Sequence, residues 1–150
     1  MSCVMHFTGD TVNVDDLVAL CPVEPAVIFR KGERTSDRPN ARLCVTSGIS
    51  FCISEADFED FETQKADAVA FLAQHRAALA KLRELPGLQH ASIDFGIAMR
   101  NVVAQSDGFE PELIQLLAPL RLELVLSQYP VGRRMKRVRQ FRRALRKRAT

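Results

Sequence analysis

The stretch "RKGERTSDRPNAR", residues 30–42, holds five cations, Arg30, Lys31, Arg34, Arg38 and Arg42, against two acids, Glu33 and Asp37. Guanidinium forks on a glycine-containing loop match the shape of a phosphate or carboxylate. These five side chains therefore form a candidate contact for an anion or a macromolecular partner. The order Lys-Gly-Glu is not that of a P-loop, where lysine follows glycine and precedes Ser or Thr. The simpler reading is a solvated turn, with Gly32 at positive φ and Lys31 guarding a strand edge.

A second cationic segment is denser. "VGRRMKRVRQFRRALRKRAT", residues 131–150, carries Arg133, Arg134, Lys136, Arg137, Arg139, Arg142, Arg143, Arg146, Lys147 and Arg148 and no acid. Of the chain's 21 Lys and Arg, 11 remain before residue 131, where all 18 acids lie; the net +3 thus averages a body of −7 with a tail of +10. Met135, Val138, Phe141 and Leu145 recur at helical spacing and would form a narrow apolar stripe. Such a tail suits nucleic-acid phosphates, with affinity falling steeply in salt. It also suits an acidic protein or an anionic lipid surface, or it folds back on the acidic body or frays. One aromatic, Phe141, offers little for base stacking, and no recognised duplex-reading motif is present. The expected organisation is one domain over 1–130 and a basic amphipathic tail over 131–150, helical or disordered.

The remaining reactive residues do not assemble into a motif. Cys3, Cys21, Cys44 and Cys52 lack the close pairs of a zinc site and sit among apolar neighbours, which reads as free thiol packed as a small hydrophobe. Glu55, Asp57, Glu59, Asp60 and Glu62 cluster at the start of a long helical pattern, where the helix dipole favours acids. His6, His75 and His90 are far apart in sequence, and catalysis of the hydrolase kind needs nucleophile, base and orienting acid in contact. Should the strands bearing His6 and His90 pair, the two would approach, with Cys3 or Asp94 near. His75, between Gln74 and Arg76, is expected exposed. No metal and no cofactor is expected, and the chain leans away from an enzyme.

These residues need a scaffold, and the pattern supplies one. At 150 residues with 47% hydrophobic content, the chain suits a single globular domain. "MSCVMHFTG" lacks the basic lead and apolar run of a signal peptide, and no run reaches the roughly 20 apolar residues of a membrane span. A soluble, cytoplasmic protein in a reducing compartment is the expectation, with membrane association disfavoured.

"GDTVNVDDLVALCP", Gly9 to Pro22, and "SDGFEPELIQLLAP", Ser106 to Pro119, repeat one phrase 97 residues apart. Asp10 meets Asp107, Val12 meets Phe109, Asp15 meets Glu112, Leu17 meets Ile114 and Leu20 meets Leu117. Each reads as a turn and a short amphipathic helix stopped by proline, Pro22 or Pro119. "CVMHF" precedes the first, and "ASIDFGIAM", alternating Ala91, Ile93, Phe95, Ile97 and Met99, precedes the second. "AVIFR" and "LRLELVLSQY" follow as further strands. Between the copies lie "RLCVTSGISFCIS", a strand with a break at Gly48, and a long helix capped by Ser54 and ending before Pro86. The apolar stripe of that helix is Phe58, Phe61, Ala68, Leu72, Leu79, Leu82 and Leu85. About five strands and three helices give an α+β two-layer sandwich. Its βαβ units repeat in a ferredoxin-like manner, with a mainly antiparallel sheet and helices on one face.

Gly9, Asp10, Val12, Asp15, Leu17, Leu20, Pro25, Phe29, Lys31, Gly32 and Glu33 together resemble the opening pattern of a bacterial family catalogued as domain of unknown function 4279. The segment "GFEPELIQLLAPLRLELVLSQY" is similar to that family's closing helix and strand, so the resemblance spans roughly residues 3 to 130. Its most specific part is the Lys-Gly-Glu after the first βαβ unit. The family often has a tryptophan beyond that loop; here Leu43 stands near its place and the chain has no Trp. The resemblance implies this fold and a bacterial origin, and brings no activity. Together these features lead to a non-enzymatic protein-interaction module of open oligomeric state, with a nucleic-acid-associated protein acting through its tail as the alternative.

Overall fold

The computed structural model describes residues 2–36, 38 and 40–130. The tail contacts expected from Arg133 through Arg148 lie outside the described residues. In chain order the elements are β1 (Cys3–Gly9), α1 (Val14–Leu20), β2 (Val27–Phe29), β3 (Ser47–Ser54), α2 (Phe61–Arg83), β4 (His90–Ala98), α3 (Pro111–Leu117) and β5 (Glu123–Tyr129). The five strands form one sheet in the order β2-β3-β1-β4-β5. Every neighbouring pair is antiparallel except β4–β5, which is parallel. This is an α+β fold with a mostly antiparallel open sheet and three α-helices.

Alternation along the strands builds the core. Cys3, Met5 and Phe7 of β1 lie across from Phe95, Ile93 and Ala91 of β4, and Met5 and Phe7 lie across from Phe51 and Ile49 of β3. All of these are buried, together with Leu17 of α1, Ala68, Leu72, Leu79 and Leu82 of α2, and Leu113 and Leu117 of α3. Strand side chains alternate between faces, so the helices cover the face carrying this set. The other face presents Val4, His6, Thr8, Ser92 and Asp94.

The helix signals act locally. Asn13 caps α1 by accepting a hydrogen bond from the Asp15 amide at 2.9 Å, and Asp15 and Asp16 occupy the positive first turn. Pro111 opens α3, where its missing N–H costs nothing. α3 ends at Leu117, two residues before Pro119, and the chain then turns through a 3-10 segment, Ala118–Leu120.

Several sequence expectations change. The long helix begins at Phe61 and is capped by Asp60, whose carboxylate accepts from the Thr63 amide at 3.2 Å. Ser54 is no cap: its hydroxyl donates to Asp67 at 2.5 Å and accepts from the Ala56 amide at 3.1 Å, ending β3. Phe58 thus belongs to the loop before α2. β3 does not break at Gly48 but runs through it, because the position is pressed by the Phe7 carbonyl and the Phe29 ring, and only glycine fits. Met99, expected to point inward, is exposed because β4 ends at Ala98 and the chain leaves the sheet.

The two copies of the repeated phrase also diverge. β4 and β5 pair directly, whereas β3 lies between β1 and β2. Leu17 is fully buried, but Ile114, its counterpart in the repeat, is 43% exposed; Leu113 takes the core position. The two helices share a grammar of turn, acid and apolar spacing, and they present different registers to the sheet.

Candidate functional site

The cationic stretch lies at an edge of the sheet. β2 is the end strand, three residues long, pairing Val27, Ile28 and Phe29 with Ser50, Ile49 and Gly48. Beyond it the chain between the two strands extends outward as an arm held by a few backbone hydrogen bonds and one isolated bridge. Gly32 donates to the Cys44 carbonyl at 2.8 Å, Cys44 donates back to Glu33 at 2.7 Å, and Thr35 donates to Arg42 at 2.9 Å. Arg34 bridges Leu43, and Ala41 donates to the Arg38 carbonyl at 3.0 Å near the tip. Gly32 holds φ at 86°, the left-handed turn expected of it.

The five cations are strung along this arm. The Arg30 guanidinium meets Asp15 of α1 at 2.5 Å, and the Lys31 ammonium meets Asp10 at 3.4 Å. Arg34, Arg38 and Arg42 are exposed farther out. Arg30 and Lys31 are engaged by carboxylates around the start of α1, and these tether the root of the arm to the body. The sequence signal was the charge; the carboxylate partners came from a segment 15 to 21 residues earlier and were not legible as partners.

The feature that sequence reading passed over is apolar. Val27 is 50% exposed, Ile28 45%, Leu43 59% and Val45 77%, all on β2 or the arm. Residues 26–29, Ala-Val-Ile-Phe, carry no charge and no proline, and they form the open edge of the sheet. A strand edge presents unpaired amide and carbonyl groups, and natural edges are usually guarded by charge, proline or a bulge. The only signal in the sequence was the bare "AVIF" next to a basic loop.

β1 and β4 pair so that His6 lies opposite Ser92 and His90 opposite Thr8, placing both imidazoles on the sheet face away from the three described helices. Cys3 points to the core, away from them. The His6 Nδ1 is 2.8 Å from the Ser50 hydroxyl, while the Ser127 hydroxyl donates to Asp94 at 2.9 Å. Burial lowers the His6 pKa below its ordinary value, with the Asp94 charge opposing. Burial pushes the Cys3 thiol far above its usual range, so it is no nucleophile at neutral pH. His75 is half-buried against Phe71, with ring centroids 4.5 Å apart, rather than exposed. All four cysteines are free, and no group of three or more His, Cys, Asp or Glu among the described residues is arranged to hold a metal ion. Of the acidic cluster, Asp60 caps α2 and Glu62 sits in its first turn, while Glu55, Asp57 and Glu59 occupy the preceding loop.

Lys65 is another residue that sequence reading missed. It is buried on α2, with its ammonium 2.5 Å from Glu110, 3.0 Å from Glu62 and 4.8 Å from the Phe61 ring centroid. Burial alone would lower its pKa, but the hydrogen bonds to Glu110 and Glu62 raise it above the ordinary lysine value. It is a structural clamp between α2 and the approach to α3.

Comparison of the chain with family models, with curated proteins and with solved structures finds no match. Among the described residues no helix is long and apolar enough to cross a membrane.

Proposed function

We propose that this chain is a non-enzymatic protein-interaction module that makes contact through the β2 edge and its arm. The observation that carries this reading is the exposed set of Val27 and Ile28 on an uncharged terminal strand and Leu43 and Val45 on the adjoining arm. Exposed apolar side chains beside unpaired strand amides are the ingredients of strand addition, in which main-chain bonds give affinity and alternate side chains give specificity. The ferredoxin-like arrangement is part of the proposal: the connectivity β1-α1-β2-β3-α2-β4 with strand order β2-β3-β1-β4 supports it, α3 and β5 being an added parallel unit. The Lys31-Gly32-Glu33 turn at the arm's root is where the resemblance to domain of unknown function 4279 is most specific, and membership in that family is part of the proposal.

Pull-down from a native bacterial extract with wild-type protein and with an Ile28→Lys, Val45→Lys variant tests it. A partner recovered by the first and lost by the second supports the reading. Equal recovery by both, or repeated recovery of nothing by a monomeric wild type, overturns it.

A second reading is favoured by the ten cations of residues 131–150: a nucleic-acid-associated protein acting through that segment. It predicts binding to arbitrary strands that weakens steeply between low and moderate salt and is abolished by deleting residues 131–150. Binding that survives the deletion refutes it.

A further inference from the structure

We infer that the occupant of the β2 edge is a second copy of this chain, paired antiparallel about Ile28, so that two sheets join into one across a twofold axis. The inference rests on the interaction-surface reading above and names its partner.

β2 closes one end of the sheet, and among the described residues no strand pairs with its outer side. Self-pairing about Ile28 sets Ile28 against Ile28 and Val27 against Phe29 of the other copy, joining side chains that are exposed or half-exposed in the single chain. Cross-strand pairs of β-branched and aromatic residues stabilise a sheet. Charge then selects the direction. Glu24, exposed, lies on the approach to β2, whereas Arg30 and Lys31 lie at its exit. Antiparallel pairing brings the acidic approach of each copy to the cationic exit of the other, twice over. Parallel pairing would set Glu24 against Glu24 and Lys31 against Lys31. The two arms leave in opposite directions, so their cations do not confront one another.

A twofold contact of this kind is isologous and closes at two copies when it uses one strand of each. The opposite edge is a poorer candidate. β5 carries exposed Glu123 and Gln128 within the strand, its Leu124, Val125 and Leu126 are half-buried, and its one exposed apolar side chain is Tyr129 at its end. A three-residue edge gives a small interface, and interfaces of that size suit weak, concentration-dependent association.

Sedimentation equilibrium of the pure full-length protein over a wide concentration range tests the inference, with circular dichroism confirming that each variant is folded. The expected result is a reversible monomer–dimer equilibrium. Ile28→Lys should raise its dissociation constant at least about tenfold, a change of about 1.4 kcal/mol. Glu24→Lys should weaken it, and adding Lys31→Glu to Glu24→Lys should restore it. A dimer indifferent to Ile28→Lys, or a charge exchange that fails to restore, overturns the inference. A wild type that stays monomeric while the edge still captures a different protein overturns it and leaves the interaction-module reading standing. Monomer with no captured partner overturns both.

Discussion

Replacing Gly48 with alanine tests how β2 is seated on the sheet. Gly48 lies in β3 between β1 and β2, opposite Thr8 on one side and Phe29 on the other. A Cβ there would collide with the Phe7 carbonyl, lie 2.9 Å from the Phe29 ring and 3.1 Å from the Thr8 Cα. The ring can swing away, but the carbonyl and Cα belong to a paired backbone and cannot move without opening the β1–β3 ladder. Overpacking costs ~1–3 kcal/mol, and this case belongs in the upper half because backbone resists. Alanine also narrows the unfolded ensemble, which returns ~0.4–1 kcal/mol. The net is a destabilisation of about 2 kcal/mol. At ~2–4 °C per kcal/mol for a domain of this size, Tm should fall by about 4–8 °C. Thermal and urea unfolding followed by far-ultraviolet circular dichroism measure it. Amide exchange at Val27, Ile28 and Phe29 should quicken as Phe29 loses its seat. An unchanged or raised Tm would refute the reasoning, because it would mean that no backbone presses on that position.

Lys65→Met keeps the aliphatic stem over Phe61 and removes the bonds to Glu110, Glu62 and the Gly108 carbonyl. The expected loss is about 1–2 kcal/mol, on the low side for charged hydrogen bonds because both carboxylates reach solvent; urea titration checks it, and no loss would show that the clamp contributes nothing. The lowered pKa of His6 means that the unfolded chain takes up a proton more readily than the folded one. Its contribution is therefore complete above the ordinary value of 6.5 and is lost as pH falls from there toward the folded value. His6→Gln should flatten that part of the pH–stability curve, and nuclear magnetic resonance should show the native imidazole titrating below 6.5. Cys3, fully buried with its thiol pushed upward, should stay unmodified by an aromatic disulfide reagent at pH 8 until the protein unfolds; mass spectrometry of the labelled native protein decides.

The strands were legible where one face is buried and the other is not. "ASIDFGIAM" announces β4 because Ala91, Ile93, Phe95 and Ile97 alternate, and all four are buried. The helix start was misplaced by six residues because Ser54 and Asp60 are both capping residue types and both accept a backbone amide, but only at Asp60 does a helix follow. The repeated phrase marked two real helices, α1 and α3, yet its register failed at Leu17 and Ile114, since a seven-residue helix can bury either of two apolar neighbours. Lys65 escaped notice because a lysine inside an apolar stripe reads as solvated unless its partner, Glu110, is known to fold beside it. At the candidate site the charges of Arg30, Lys31, Arg34, Arg38 and Arg42 were plain. What the sequence could not disclose was that β2 ends the sheet, because strand order depends on contacts between residues far apart in the chain. Only that placement turns "AVIF" from a core strand into an exposed edge.

The most direct measurement of the central claim is site-specific photo-cross-linking in living cells, with the reactive side chain placed in turn at Val27, Ile28 and Val45, at Gln128 of β5, and at Ala73 on the outer surface of α2. The account predicts discrete, reproducible adducts from the first three positions and little from the last two. Adducts concentrated at Gln128 or Ala73, with none from β2 or the arm, would contradict it.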